Sequence, residues 1–89
     1  MRVPFNLEYD GKTEKVNAGP LAIVQYERQT GKAISSWADG PTFEDLALLA
    51  YLQLKIEKKV TDEFDDFLAR LENLEEGSEA PLQDGEPEA

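Results

Sequence analysis

The chain contains neither cysteine nor histidine. Without cysteine it has no disulfides, no thiolate zinc site and no cysteine nucleophile, and without histidine the commonest general base is missing too. At 89 residues it is long enough for one domain with a small core. Domains of this size often rely on disulfides, metals or self-association. The composition therefore points to oligomerisation or a partner protein as the remaining source of support.

Basic residues are scarce. Nine Lys and Arg stand against nineteen Asp and Glu, which gives a net charge of −10. Residues 75–89 hold six of the acidic residues and no basic one. Binding to nucleic-acid phosphates or anionic lipid requires cationic side chains. We therefore expect neither nucleic acid nor a membrane among the partners.

Long hydrophobic runs are also absent. The longest apolar stretch is far shorter than the ~20 residues that a membrane-spanning helix needs. Residues 1–20 include Glu8, Asp10 and Glu14, so they do not resemble a signal peptide. The lack of cysteine fits a reducing compartment. We expect an intracellular protein that is not secreted.

No pattern typical of catalysis or metal binding is present. The densest acidic segment, "DEFDD" (62–66), lies where a helix is predicted to begin, and carboxylates there complement the helix dipole. It lacks the glycine and the alternating ligands of a calcium loop. We expect no enzymatic activity, no cofactor and no metal site.

The N-terminal segment predicts a β-hairpin. Apolar and polar residues alternate over 2–9, and Asp10-Gly11 is a strong signal for a two-residue turn before a second strand over 12–17. The pairs that this turn implies are Tyr9 with Lys12, Leu7 with Glu14, and Phe5 with Val16.

Helix signals begin at Pro20. A proline at the first helical position and Gly31 as a C-terminal cap bound a short helix over about 20–30. Residues 32–41 are then predicted to form a loop that contains Trp37. That tryptophan is interpreted as a plug over the core or, alternatively, as an anchor at an interface.

Two further helices are predicted. Thr42 is a suitable N-cap for a helix over 43–59. A second amphipathic helix follows Thr61, because its apolar residues recur at helical spacing. Those residues are Phe64, Phe67, Leu68, Leu71 and Leu74. The fold class is therefore α+β, with an N-terminal β-hairpin packed on a small bundle of about three helices. We expect one domain over residues 1–76 and a disordered acidic tail over 77–89.

The helix over 43–59 has more apolar surface than its neighbours are expected to cover. From Leu46 to Leu54 every residue except Gln53 is apolar. Burial against the hairpin and the last helix is one explanation. The alternative is that part of the helix contacts another chain, since a surplus apolar patch marks a binding surface. The candidate protein-binding residues are Trp37, Leu48, Leu49, Tyr51, Leu52 and Ile56.

The order of these segments resembles the tail assembly chaperones of long-tailed, siphovirus-like bacteriophages. The resemblance covers about residues 3–75 and rests on four short motifs. They are "FNLEYDGKTEKV" (5–16), "AIVQYERQTGKAI" (22–34) with Tyr26-Glu27, "FEDLALLAY" (43–51) and "FDDFLARLENLE" (64–75).

This resemblance implies a non-catalytic role in the host cytoplasm. Such chaperones coat the tape measure protein and help to recruit tail tube subunits during tail assembly. They act in several copies, so a homo-oligomer is also implied. Many of these phages make a second, longer product by ribosomal frameshifting, and a short chain with an acidic tail suits the shorter product.

Two alternatives remain open at this stage. The first is an acidic inhibitor that imitates DNA, as anti-restriction proteins do, with the carboxylates standing in for phosphates. The second is a small structural protein of the virion. Ionic strength distinguishes the first, because charge mimicry weakens with salt whereas apolar binding persists.

Overall fold

The computed structural model describes residues 2–77, which form one antiparallel sheet and the helices packed on it. The elements in chain order are β1 (Val3–Tyr9), β2 (Lys12–Ala18), α1 (Pro20–Thr30), a 3₁₀-helix (Ile34–Asp39), α2 (Phe43–Ile56), α3 (Phe64–Arg70) and β3 (Leu71–Glu76). The strand order is β2-β1-β3. This α+β architecture with its N-terminal hairpin confirms the predicted fold class. The predicted acidic tail lies outside the described residues from position 78 onwards.

The hairpin has the predicted register. Phe5 pairs with Val16, Leu7 with Glu14 and Tyr9 with Lys12. The turn between the strands has a positive φ at both positions, 54° at Asp10 and 73° at Gly11. This is the backbone of the two-residue turn whose twist matches that of the flanking strands. The Asp-Gly pair therefore sets the register, because few other residues tolerate that conformation.

The last element differs from the prediction. Sequence periodicity predicts one helix that is capped by Thr61 and continues through Leu74. In the structure α3 begins at Phe64 with Glu63 as its N-cap, ends at Arg70, and the chain continues as a strand. β3 pairs antiparallel with β1, so β1 is the central strand of the sheet. The physical reason is that a hairpin alone leaves the outer hydrogen-bonding groups of β1 unpaired, and β3 supplies their partners.

A β-bulge explains why the apolar residues of β3 have a spacing typical of a helix. Leu71 and Leu74 are three residues apart, a helical spacing, yet they lie opposite Tyr9 and Leu7 on the same face of the sheet. A register shift between Glu8 and Tyr9 accommodates the extra residue. Because of this shift, Leu71 and Leu74 face the same side of the sheet, whereas the usual alternation would place residues three apart on opposite faces.

The first two helices begin as expected. Pro20 opens α1, and Gly31 ends it with a φ of 71° and an N–H that donates to the Glu27 carbonyl. Thr42 caps α2 by accepting from the Asp45 backbone N–H, and the Asp45 side chain accepts from the Thr42 N–H in return. The helix ends at Ile56, three residues before the predicted boundary, because the chain turns through Lys58 at a φ of 63°.

The core lies between the sheet and the helices, with α2 at its centre. The inner face of the hairpin contributes apolar side chains that are nearly fully buried, and α1 adds Tyr26, whose exposed fraction is 0%. The remaining helices close the core through Leu49, Leu54 and Phe67. The hairpin members are Phe5, Leu7, Tyr9, Val16 and Ala18.

Two buried polar residues of α2 hold the surrounding segments in place. The first, Gln53, accepts a hydrogen bond from the Gly19 backbone N–H through Oε1, at 3.0 Å, where β2 leads into α1. Its amide nitrogen donates to the Glu57 side chain. The bond to Gly19 satisfies a backbone donor that lies too deep to be hydrated freely.

The second buried polar residue is Asp45. Its carboxylate accepts from the Thr42 N–H at 3.0 Å and from Lys32 Nζ at 3.1 Å. Burial by itself raises the pKa of this carboxyl, but these hydrogen bonds outweigh burial and lower the pKa to about 2. Asp45 thus fastens the start of α2 to the segment that follows α1.

We predict that Gln53→Leu lowers the free energy of unfolding by about 1–3 kcal/mol, because it leaves the Gly19 N–H buried without an acceptor. Urea denaturation followed by circular dichroism measures the change. The matched control is Gln29→Leu at an exposed position of α1, which should stay within about 0.5 kcal/mol of wild type. Equal effects of the two substitutions would contradict the role given to Gln53.

We also predict a pH-dependent role for Asp45. Since its folded-state pKa is lowered, its contribution is fully present above the ordinary value of 3.8 and disappears as the pH falls towards about 2. The stability difference between wild type and Asp45→Asn should therefore shrink over that interval. Urea denaturation at a series of pH values tests this, and a difference that does not change with pH would refute it.

Candidate functional site

An open groove of about 850 Å³ runs along one side of α2. We call it the helical groove. Its floor comes from α2, one wall from α1, and the other wall from the residues at the start of α3. The lining residues are Gln25, Gln29, Thr30, Glu44, Leu48, Tyr51, Leu52, Lys55, Ile56, Glu63 and Phe64.

The apolar floor follows directly from helical spacing. Leu48, Leu52 and Ile56 are four residues apart, so they lie along one line of α2. Leu48 and Ile56 are half-buried, whereas Leu52 is 5% exposed. Leu48 and Ile56, at the two ends of this line, therefore keep apolar surface in contact with solvent. Leu52 lies between them and is buried.

The first wall lies along α2 because α1 runs antiparallel to it. At one end Gly19 donates to Gln53, and at the other Lys32 contacts Asp45. These two contacts hold the helices side by side over most of their length. As a result Gln25 and Gln29, one helical turn apart, present a polar wall opposite the second wall.

The second wall is anchored by aromatic contacts. Tyr51 packs on Phe64 with ring centroids 5.3 Å apart and on Phe67 at 5.4 Å. The Tyr51 hydroxyl donates to the Asp62 backbone carbonyl. Tilted aromatic pairs of this kind add stabilisation beyond the area they bury. They fix the position of Phe64 relative to the floor.

Arg70 strengthens that wall from the far end of α3. Its guanidinium contacts Asp10 in the hairpin turn, at 2.6 Å, and Asp62 in the segment before α3. The hydrogen bond from Arg70 lowers the pKa of Asp62. One side chain therefore links the hairpin turn to both ends of α3, and it keeps the start of α3 beside the groove.

The charges around the groove are mixed. Glu44 and Glu63 line it together with Lys55, whose Nζ lies 5.6 Å from the centroid of the Tyr51 ring. Among the lining residues no two titratable side chains are hydrogen-bonded to each other as a nucleophile and a base would be. The groove therefore combines an apolar floor with polar and charged margins.

The structure brings four of the six predicted site residues together. Leu48, Tyr51, Leu52 and Ile56 all line the helical groove. Leu49 has an exposed fraction of 0% and belongs wholly to the core. Tyr51 and Leu52 border the groove but are core residues too, with exposed fractions of 6% and 5%. The surplus apolar surface inferred from the sequence is thus confined to part of α2, because α1, α3 and the sheet cover more of this helix than the pattern suggested.

Trp37 lies apart from the other predicted residues. It is half-buried in the 3₁₀-helix, where its ring meets Tyr26 at 5.6 Å and Phe5 at 6.5 Å. Its indole N–H donates to the Tyr26 hydroxyl at 3.0 Å. These contacts match the interpretation of Trp37 as a plug over the core.

Sequence reasoning missed the most exposed large apolar residues. Leu21 and Val24 on α1 are 55% and 40% exposed, and Phe43 at the start of α2 is 56% exposed. The spacing of three between Leu21 and Val24 was a usable signal for a shared helix face. The sequence predicts Phe64 on the buried face of the last helix, and the structure shows that it also borders the groove.

The described residues contain no group of three or more Asp or Glu side chains placed to hold a metal ion. Over the same residues, none of the helices combines the length and the apolar character required to cross a bilayer. The chain matches no protein-family model, and comparison with curated proteins and with solved structures finds no match either.

The core and groove positions of α2 should respond differently to truncation. We predict that Leu49→Ala lowers the free energy of unfolding by about 2–5 kcal/mol, because it opens a cavity at a fully buried site. Leu48→Ala is the matched control on the same helix, and its cost should be about 1 kcal/mol or less, since solvent already reaches that side chain. Urea denaturation of both variants measures the two free energies of unfolding. Equal losses would show that Leu48 is also a core residue.

Proposed function

We propose that the protein acts without catalysis, by binding a helical segment of another protein in the helical groove. The single observation that supports this most strongly is the solvent contact of Leu48 and Ile56 on the apolar floor between two fixed walls. Amphipathic helices bind to such grooves through apolar side chains spaced three or four residues apart.

The dimensions of the floor agree with this mode of binding. Leu48 and Ile56 are eight residues apart on α2, which corresponds to about 12 Å along the helix axis. A bound helix would therefore contact the floor over about two turns. Glu44, Glu63 and the two glutamines would lie at the margins and hydrogen-bond to its polar side. A helix with an apolar stripe flanked by Lys or Arg fits this arrangement best.

In line with the resemblance to phage tail assembly chaperones, we propose that the client is a tape measure protein. Such a protein is long and helical, and its apolar stripes need cover until tail tube subunits surround it. Several copies of this chain would bind along it in the host cytoplasm and then help to recruit the tube protein. The excess of negative charge would keep the coated client in solution.

The test is co-expression with the long helical protein encoded by a gene close to that of this chain. We expect the client to be soluble with the wild-type protein and to aggregate with Leu48→Asp or Ile56→Asp. A carboxylate on the floor would be desolvated by the bound helix and should weaken binding by about 2 kcal/mol, roughly thirtyfold. Solubility and co-purification of the client are measured.

The matched controls are Leu21→Asp and Val24→Asp, which place the same charge on exposed apolar positions of α1 that do not line the groove. They should leave client binding unchanged, and circular dichroism should show all four variants folded. Binding that survives both floor substitutions but is lost at moderate salt would refute groove binding and favour the acidic inhibitor. Presence of the protein in purified virions would instead favour a structural role.

A further inference from the structure

Within residues 2–77 the sheet has two edges, formed by β2 and β3. The Gly77 N–H donates to the Pro4 carbonyl at 2.8 Å, so the even-numbered residues of β1 direct their backbone groups towards β3. In an antiparallel ladder, successive residues direct their backbone N–H and C=O groups to alternate sides of the strand. The backbone groups of Lys15 on β2 and of Leu74 on β3 therefore point outward from the two edges of the sheet. The Leu74 N–H donates a hydrogen bond to the Asn73 side-chain Oδ1, which agrees with this assignment.

The two edges carry opposite charges. Lys12 and Lys15 are exposed on β2, and Glu72, Glu75 and Glu76 are exposed on β3. None of these five side chains forms an ion pair within the described part of the chain. On β2, Lys12 Nζ lies 5.5 Å from the centroid of the Tyr9 ring, and Glu14 is paired with Lys59. Lys15 and the three glutamates are therefore the charges available to a second molecule.

The charge pattern selects one way of joining copies. Two β2 edges would place lysines together, and two β3 edges would place glutamates together, which is destabilising in paired strands. Only β2 against β3 brings opposite charges into contact. Across the outer face of one sheet, Lys15 pairs with Asn6 and Asn6 pairs with Glu75. A following copy in the same register would set its Glu75 beside Lys15 and repeat this row.

We propose that copies of this chain associate head to tail, with β2 of one copy pairing with β3 of the next. Both strands run antiparallel to β1, so they run parallel to each other and the new pair is parallel. The contact joins two different surfaces, so it closes into a ring or extends as a helical filament. The proposal does not depend on the function of the helical groove, which lies on other elements.

Features of the monomer limit the strength of this association. Each edge holds an intramolecular hydrogen bond that a neighbouring strand must displace. On β2 the Arg2 guanidinium donates to the Asn17 carbonyl, and on β3 the Leu74 N–H donates to Asn73 Oδ1. Charged side chains on an edge also discourage pairing with unrelated strands. The net charge of −10 adds repulsion between copies. Association should therefore be reversible and increase with protein concentration.

A charge swap tests the proposal. Sedimentation velocity from micromolar to millimolar concentration should show wild-type oligomers that dissociate on dilution. Lys15→Glu and Glu75→Lys should each weaken association on the order of tenfold, since attraction becomes repulsion at the joining edge. The double variant, and an equimolar mixture of the two single variants, should recover it because opposite charges meet again.

The controls change charge by the same amount away from the sheet. Arg28→Glu is the control for Lys15→Glu, and Asp39→Lys is the control for Glu75→Lys. Neither control should alter association. A wild-type protein that stays monomeric at every concentration overturns the proposal. A double variant that associates as weakly as the single variants also overturns it. Loss of oligomers in Leu48→Asp with no effect of Lys15→Glu would show that copies meet through the groove, and would also overturn it.

Discussion

The burial of α2 is the constraint on which the rest of the structure depends. Eight of its fourteen residues are buried, and fully burying each large apolar side chain contributes about 1.5–3 kcal/mol. No single neighbour in so short a chain can cover this helix. The sheet, α1 and α3 therefore surround it, and the buried polar groups of Asp45 and Gln53 are used to attach the connecting segments.

Incomplete cover of the same helix produces the candidate site. Where α1 and the start of α3 stay apart, Leu48 and Ile56 at the two ends of the floor remain accessible between them. The walls are held by contacts that belong to the fold itself, namely the Tyr51 aromatic cluster and the Arg70 ion pairs. A groove with fixed walls loses little conformational entropy when a ligand binds, which favours recognition of a preformed helix.

The sheet separates a second surface from this groove. Its inner face forms part of the core, while its two edges carry charges of opposite sign on strands that lie on either side of β1. The proposed client groove and the proposed contact between copies lie on different elements, so one would not obstruct the other. Such an arrangement would raise the local concentration of binding sites along a long client without any change in the affinity of each groove.

The sequence by itself determined the features that depend on neighbouring residues. The Asp10-Gly11 turn set the hairpin register, and Gly31 and Thr42 set helix ends. Each follows from local backbone geometry. The tertiary structure alone decided that the chain after Arg70 becomes a strand, because the unpaired edge of β1 outweighs a helical pattern. It also decided that Leu49 is core while Leu48 borders a groove, since that depends on where α1 and α3 lie.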